Sequence, residues 1–118
     1  MRPHQKLDLW RRAIEFVVSI YRTTERFPKE EKFGLTSQVR RAAVSIAANI
    51  AEGVARTSTK EFLQFLSVSQ GSASEADTEL VIACQLGYLT TNEYEHFGQE
   101  LDDIGRMITR LSQSLRRR

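Results

Sequence analysis

From Val39 to Val54 the apolar residues Val39, Ala42, Ala43, Ile46, Ala47, Ile50, Ala51 and Val54 recur at spacings that keep them on one side of a helix. Residues three and four apart share a face of an α-helix, whereas a strand would scatter the same set over both of its faces. The segment is therefore an amphipathic helix that has to bury one side against other elements of the chain.

The remaining sequence offers three more helices as partners. The first covers about residues 9 to 27, with Asp8 as its N-cap and Trp10, Ala13, Ile14, Val17 and Tyr21 at helical spacing, until FPKEEKFG ends the pattern around Pro28. The second, which holds the long stripe, starts near Thr36. The third opens with STKE, in which Ser58 caps the Glu61 amide and Glu61 reaches back in a capping box, and Gly87 stands where a left-handed C-terminal residue belongs. Its core candidates are Phe62, Phe65, Leu66, Ser69, Ala73, Ala76, Leu80 and Ala83. Gly71 costs helix propensity in the middle of this segment, which a kink or a close backbone approach would offset. The fourth opens with TTNE, a second capping box of Thr90 and Glu93. Phe97, Leu101, Ile104, Ile108, Leu111 and Leu115 then form a seam suited to shallow helix crossing.

Helices of roughly 19 to 29 residues make rods of about 28 to 43 Å, and short connections favour antiparallel neighbours. The expected fold is all-α, an up-down-up-down antiparallel four-helix bundle, with residues 1 to 118 as a single domain. Of these residues 41% are hydrophobic, enough for one core. Uncharged stretches such as Ala42 to Ala51 and Leu80 to Asn92 fall short of the ~20 apolar residues of a membrane span. MRPHQKLDLW has no apolar core or cleavage site of a secretory signal, so a cytoplasmic location without membrane contact is expected. Cys84, the only cysteine, reads as a small buried hydrophobe.

Charge is segregated along the chain. Residues 1 to 60 carry a net +6, residues 61 to 105 carry −9 with no Lys or Arg, and residues 106 to 118 carry +5. A subunit with one basic and one acidic side suits head-to-tail association; a solvated acidic face paired within the subunit is the other reading. Among the 17 basic residues 13 are Arg, whose planar fork fits phosphate oxygens in pairs. Arg11, Arg12, Arg40, Arg41, Arg116, Arg117 and Arg118 are thus candidates for contact with RNA or DNA. No interleaved aromatic run in the sequence points to base stacking.

Gln38, Arg41, Ser45, Asn49, Glu52 and Arg56 form a polar stripe beside the apolar one. Buried polar groups need partners, and Ser72, Glu75 and Glu79 on the facing helix are placed to supply them to Asn49; Glu52 has Arg56 or Arg41 within reach. Ser45, Asn49, Glu52 and Glu75 are accordingly read as a structural or subunit-interface network. Chemistry is less well supplied. Glu93 and His96 make an E-x-x-H pair, but a bundle metal site needs a second pair, and the only other histidine is His4. No nucleophile elbow or phosphate-binding glycine loop is present, so no catalytic residue, metal or cofactor is assigned.

The strings LDLWRRAIEFVVSIYRTTERFPKEEKFGLTSQVRRAAVSIAANIAEG, TKEFLQFLSVSQGSASEADTEL and LGYL closely resemble bacterial four-helix bundle proteins of the intervening-sequence family. That family is encoded in insertions within 23S ribosomal RNA genes and also in free-standing genes. The resemblance runs from about Leu7 to Leu115 and is most specific at FP before the second helix, at QVRRAAVSIAANIAEG and at GSASE. It implies a ring-like homopentamer. The chain is similar, too, to the accessory variability determinant of diversity-generating retroelements, a pentameric barrel whose basic surface engages nucleic acid and a reverse transcriptase. With no established catalytic residues in the family, Ser45, Asn49, Glu52, Gly53 and Glu75 carry over as fold or assembly residues. The expected function is a non-enzymatic, oligomeric nucleic-acid-binding bundle, with a protein-interaction scaffold or accessory subunit as the alternative.

Overall fold

A computed structural model describes all 118 residues and contains four long helices: α1 (Asp8–Thr24), α2 (Leu35–Val54), α3 (Thr59–Gln85) and α4 (Thr91–Arg116). Short 3-10 turns at Pro3–Lys6 and Lys29–Glu31 precede α1 and α2. The molecule measures 46 × 22 × 22 Å. Cross-helix contacts give the direction of each rod. Arg12 pairs with Asp103 and Arg26 with Glu93, so α1 and α4 run antiparallel; Ser45 meets Ser72 while Gly53 faces Phe62, so α2 and α3 do as well. Gln70 meets Gly105 while Tyr94 meets Asp77, so α3 and α4 are antiparallel too, which gives the expected up-down-up-down bundle. None of the helices is long and apolar enough to cross a membrane.

The caps explain most of the boundaries. Thr90 and Glu93 complete a reciprocal box, the Glu93 amide donating to Thr90 Oγ1 at 3.1 Å and the Thr90 amide to Glu93 Oε1 at 2.9 Å. At α3 only half of the expected box forms. Ser58 Oγ accepts from the Glu61 amide at 3.1 Å, but the hydroxyl itself donates to the Glu61 carboxylate instead of leaving it for the Ser58 amide. Asp8 is the first helical residue rather than the N-cap, a position held by Leu7, and its carboxylate binds Arg11. Helix α1 stops at Thr24, three residues before the expected end. Arg26 and Phe27 donate to carbonyls only three residues back, tightening the last turn ahead of Pro28. Glu31 then organises the next start: its Oε1 accepts from the Leu35 amide at 3.1 Å, and its Oε2 accepts from the Tyr88 hydroxyl at 3.0 Å. Gly87 adopts φ +82° as its position after α3 requires.

The core contains most of the expected faces of α2, α3 and α4, with Val39, Ile46, Ile50, Leu66, Leu80 and Ile104 almost wholly enclosed, whereas Phe62 and Phe65 of α3 are only half-buried. Helix α1 is rotated by about one residue from the expected face. Leu9, Ala13, Phe16, Ile20 and Thr24 are buried, whereas Trp10, Ile14 and Val17 are half-buried at the flank and Tyr21 is exposed. Both stripes are apolar in this helix. Packing selects the one that sets Phe16 edge-on to Phe97, with ring centres 6.0 Å apart.

Two glycines inside helices have opposite roles. A Cβ on Gly53 would lie 2.9 Å from Phe62 Cδ1 and 3.1 Å from Phe65 Cβ, so the close α2–α3 approach depends on this glycine. Around Gly71 there is open space, and α3 passes through it unbroken, so neither the kink nor the close approach expected there is found within the subunit. Gly71→Ala should therefore stabilise the subunit by about 0.5–1 kcal/mol through helix propensity. Gly53→Ala should lose about 1 kcal/mol net, because overpacking costs more than the propensity gained. Urea unfolding midpoints moving in opposite directions would establish the contrast; a gain at both positions would refute it.

Candidate nucleic-acid interface

The structure divides the seven Arg candidates into two kinds. Three are occupied within the chain. Arg11 binds Asp8, and Arg12 Nη2 donates to Asp103 Oδ2 at 3.0 Å, holding the Asp103 carboxyl below its usual range together with Gln99 and Arg106. Arg40 donates to Thr24 Oγ1 at 2.8 Å and to the Tyr21 carbonyl at 3.2 Å, pairs with Glu25 at 3.5 Å, and lies 4.6 Å from the centre of the Tyr21 ring. It fastens the C-terminus of α1 to α2, where a cation also complements the exposed carbonyls. Arg41, Arg116, Arg117 and Arg118, by contrast, are exposed and enter no ion pair. Arg41 lies near the start of α2, and the other three lie at the opposite end of the bundle.

At that opposite end a groove of about 580 Å³ opens between the start of α3 and the end of α4, lined by Thr59, Lys60, Leu63, Gln64, Ser67, Leu115, Arg116 and Arg118. None of the lining side chains is a carboxylate. The groove continues between the helices past Gln70, Thr109 and Ser112, still without a carboxylate. Hydroxyl, amide and guanidinium donors with no competing acid are what phosphate oxygens need. Further along the same helix pair the character reverses. A second groove of about 750 Å³ includes Asp77, Glu95 and Asp102, and Tyr94 donates to Asp77 at 2.8 Å, a bond that pushes the phenol up to about 12. Lys60, Gln64 and Ser67 escape a reading by sequence, because only the antiparallel register sets them beside Arg116.

The polar stripe of α2 forms a network with different partners from those expected. Asn49 does not reach α3. Its Nδ2 donates to the Ser45 carbonyl at 2.8 Å and to Ser45 Oγ at 2.9 Å, and the interhelical bond is made by Ser45 Oγ and Ser72 Oγ at 2.8 Å. A second serine, Ser69, donates to the Ile46 carbonyl at 2.9 Å deep in the same interface. Glu52 pairs with Arg56 at 3.8 Å. Glu75 and Glu79 take no part. Glu79 is only 5% exposed, and its Oε1 has no hydrogen-bond partner. Burial, and then the neighbouring Glu75 carboxylate, raise its pKa from 4.5 to about 7. Glu93 is held low by its cap to Thr90 and by Arg26, and His96 stands beside Glu100 on the same helix.

The fold is a helical bundle with open, sharply charged grooves on the outer surfaces of its helices. The chain belongs to the 23S rRNA-intervening sequence protein family, whose model matches residues 5–110. It is similar in fold to a protein of unknown function from the S23 ribosomal protein family of Bacteroides thetaiotaomicron, with 23% identity and a TM-score of 0.79 over 88% of this chain and 97% of that one. No curated protein matches it.

Proposed function

We propose that this protein is a non-enzymatic, cytoplasmic, oligomeric bundle, a homopentamer as its resemblance implies, that binds RNA or DNA through its Arg-rich surface. The observation that carries the reading is the carboxylate-free groove in which Lys60, Arg116 and Arg118 converge with the donors of Thr59, Gln64 and Ser67. Unpaired guanidinium groups there contact phosphates, displacing condensed counterions, without reading bases. Each contact is weak, and repetition around an oligomer multiplies them, because once one subunit is bound the next engages at high effective concentration.

The test is fluorescence anisotropy of labelled structured RNA and duplex DNA across a salt series. Binding should weaken linearly in log K against log salt. The triple variant Arg116→Ala/Arg117→Ala/Arg118→Ala should reduce that slope by about 2–3 for each subunit engaged, in proportion to the phosphate contacts removed. An intact oligomer that binds neither nucleic acid at low salt would leave the second reading, a scaffold for a basic partner, which the Asp77, Glu95 and Asp102 groove favours.

A further inference from the structure

The basic groove between α3 and α4 offers more than cations. Its inner recess, about 200 Å³, is joined to the outer part at Leu63, Ser67 and Arg116, which line both. Ser112 of α4 lines this recess and is only 9% exposed. A polar side chain buried that far ordinarily has a partner. Within the groove, however, the side chains form just two hydrogen bonds. Both come from Gln70 Nε2 and both are long, 3.4 Å to the Gly105 carbonyl and 3.5 Å to Thr109 Oγ1. Gln64, Ser67 and Ser112 form none, so an enclosed hydroxyl and two exposed polar groups face the groove unengaged.

The shape of the groove restricts which nucleic acid can reach that hydroxyl. Leu63 is half-buried on the floor, with Leu66 and Ile108 enclosed beneath it, and Lys60, Arg116 and Arg118 stand at the mouth. The axes of packed helices lie about 8–10 Å apart, too close for both backbones of a duplex to enter between them. A duplex also keeps the faces of its bases stacked inside, so it meets the mouth alone and leaves the floor and Ser112 untouched. An unpaired nucleotide has an apolar face to set on an apolar side chain and a polar edge that takes hydrogen bonds. Past Gly105 the same helix pair becomes acidic at Asp77 and Asp102, which repel phosphate and confine a strand to this end of the bundle.

We propose that this groove takes an unpaired nucleotide of a single strand, its base against Leu63 and hydrogen-bonded to Ser67 and Ser112, with its flanking phosphates on Lys60 and Arg116. Single strands are therefore preferred to duplexes. Hydroxyl groups both donate and accept, so the edge of any base satisfies them and the contact does not select a sequence. This rests on the proposed function and deepens it, by naming the form of nucleic acid that the same site holds.

Anisotropy titrations of the full chain test it, with a short labelled RNA strand of unstructured sequence and the same strand annealed to its complement, at one fixed salt concentration. The strand should bind about tenfold tighter than the duplex, the worth of one or two hydrogen bonds. Ser112→Ala should weaken the strand about 3–10-fold and leave the duplex unchanged. Ser67→Leu fills the neck between the outer and inner parts of the groove without changing its charge, and should abolish the preference while the duplex again binds as before. Ser67 is exposed and the Ser112 hydroxyl has no partner to lose, so helical circular dichroism should stay at the wild-type level for both variants. Equal affinity for strand and duplex, or a preference that either variant leaves intact, overturns the proposal. Salt-dependent binding that persists in that case leaves the phosphate-binding function standing. Failure of wild type to bind either form overturns both.

Discussion

Phe16→Ala is expected to lower the unfolding free energy of the subunit by about 3–5 kcal/mol, while Val17→Ala, one residue on, should cost about 1 kcal/mol or less. Phe16 is wholly enclosed and sits edge-on to Phe97 of α4, so truncation removes the ring's transfer energy and leaves a cavity that rigid helices cannot close. Val17 is only half-buried at the flank of the core. Domains of this size are stable by about 5–15 kcal/mol, so the first change alone removes a large share of the margin. Urea denaturation of both variants is also a direct test of how α1 is rotated. Equal costs at the two positions would mean that the helix presents the Trp10, Ile14 and Val17 face after all.

Glu79→Gln is expected to stabilise the subunit at pH 8 by up to about 3 kcal/mol, with the gain vanishing below about pH 4.5. The folded carboxyl titrates near 7 against 4.5 when unfolded, because burial and the Glu75 charge disfavour its ionised form. A group whose pKa is raised by folding contributes its stability in the protonated state. That contribution is complete below pH 4.5, declines as pH rises towards 7, and is gone above it. A glutamine side chain keeps the shape without the charge. If thermal melts at pH 4 and pH 8 show the same difference between chains with and without the Glu79→Gln substitution, the assignment is refuted.

The helices were legible because what makes them is local. The Thr90–Glu93 box, the Ser58 cap, Gly87 and the α2 stripe each involve residues within a turn or two of one another, and all form as their spacing implies. The face of α1 was not legible, since Leu9, Phe16 and Ile20 and the set Trp10, Ile14 and Val17 are both apolar at helical spacing. Nor were the partners of Asn49. Its amide is satisfied one turn back at Ser45, and the spacing of polar residues along α2 does not distinguish that bond from a reach to α3.

The charge segregation, too, is a property of sequence, but its meaning is tertiary. An arginine is free or engaged according to whether a carboxylate from another helix comes within about 4 Å, and that spacing separates Arg12 and Arg40 from Arg41 and Arg116. The antiparallel register alone brings Lys60, Gln64 and Ser67 beside Arg116, and the α1–α2 packing alone brings Tyr21 beside Phe33 and Arg41. By itself the sequence determined four helices, the caps at Ser58 and Thr90 and most of the faces of three, because periodicity and capping act over a few residues. The tertiary structure decided the rotation of α1, which cations remain unpaired and which surfaces face outward without a partner, because each of these depends on distances between residues far apart in the chain.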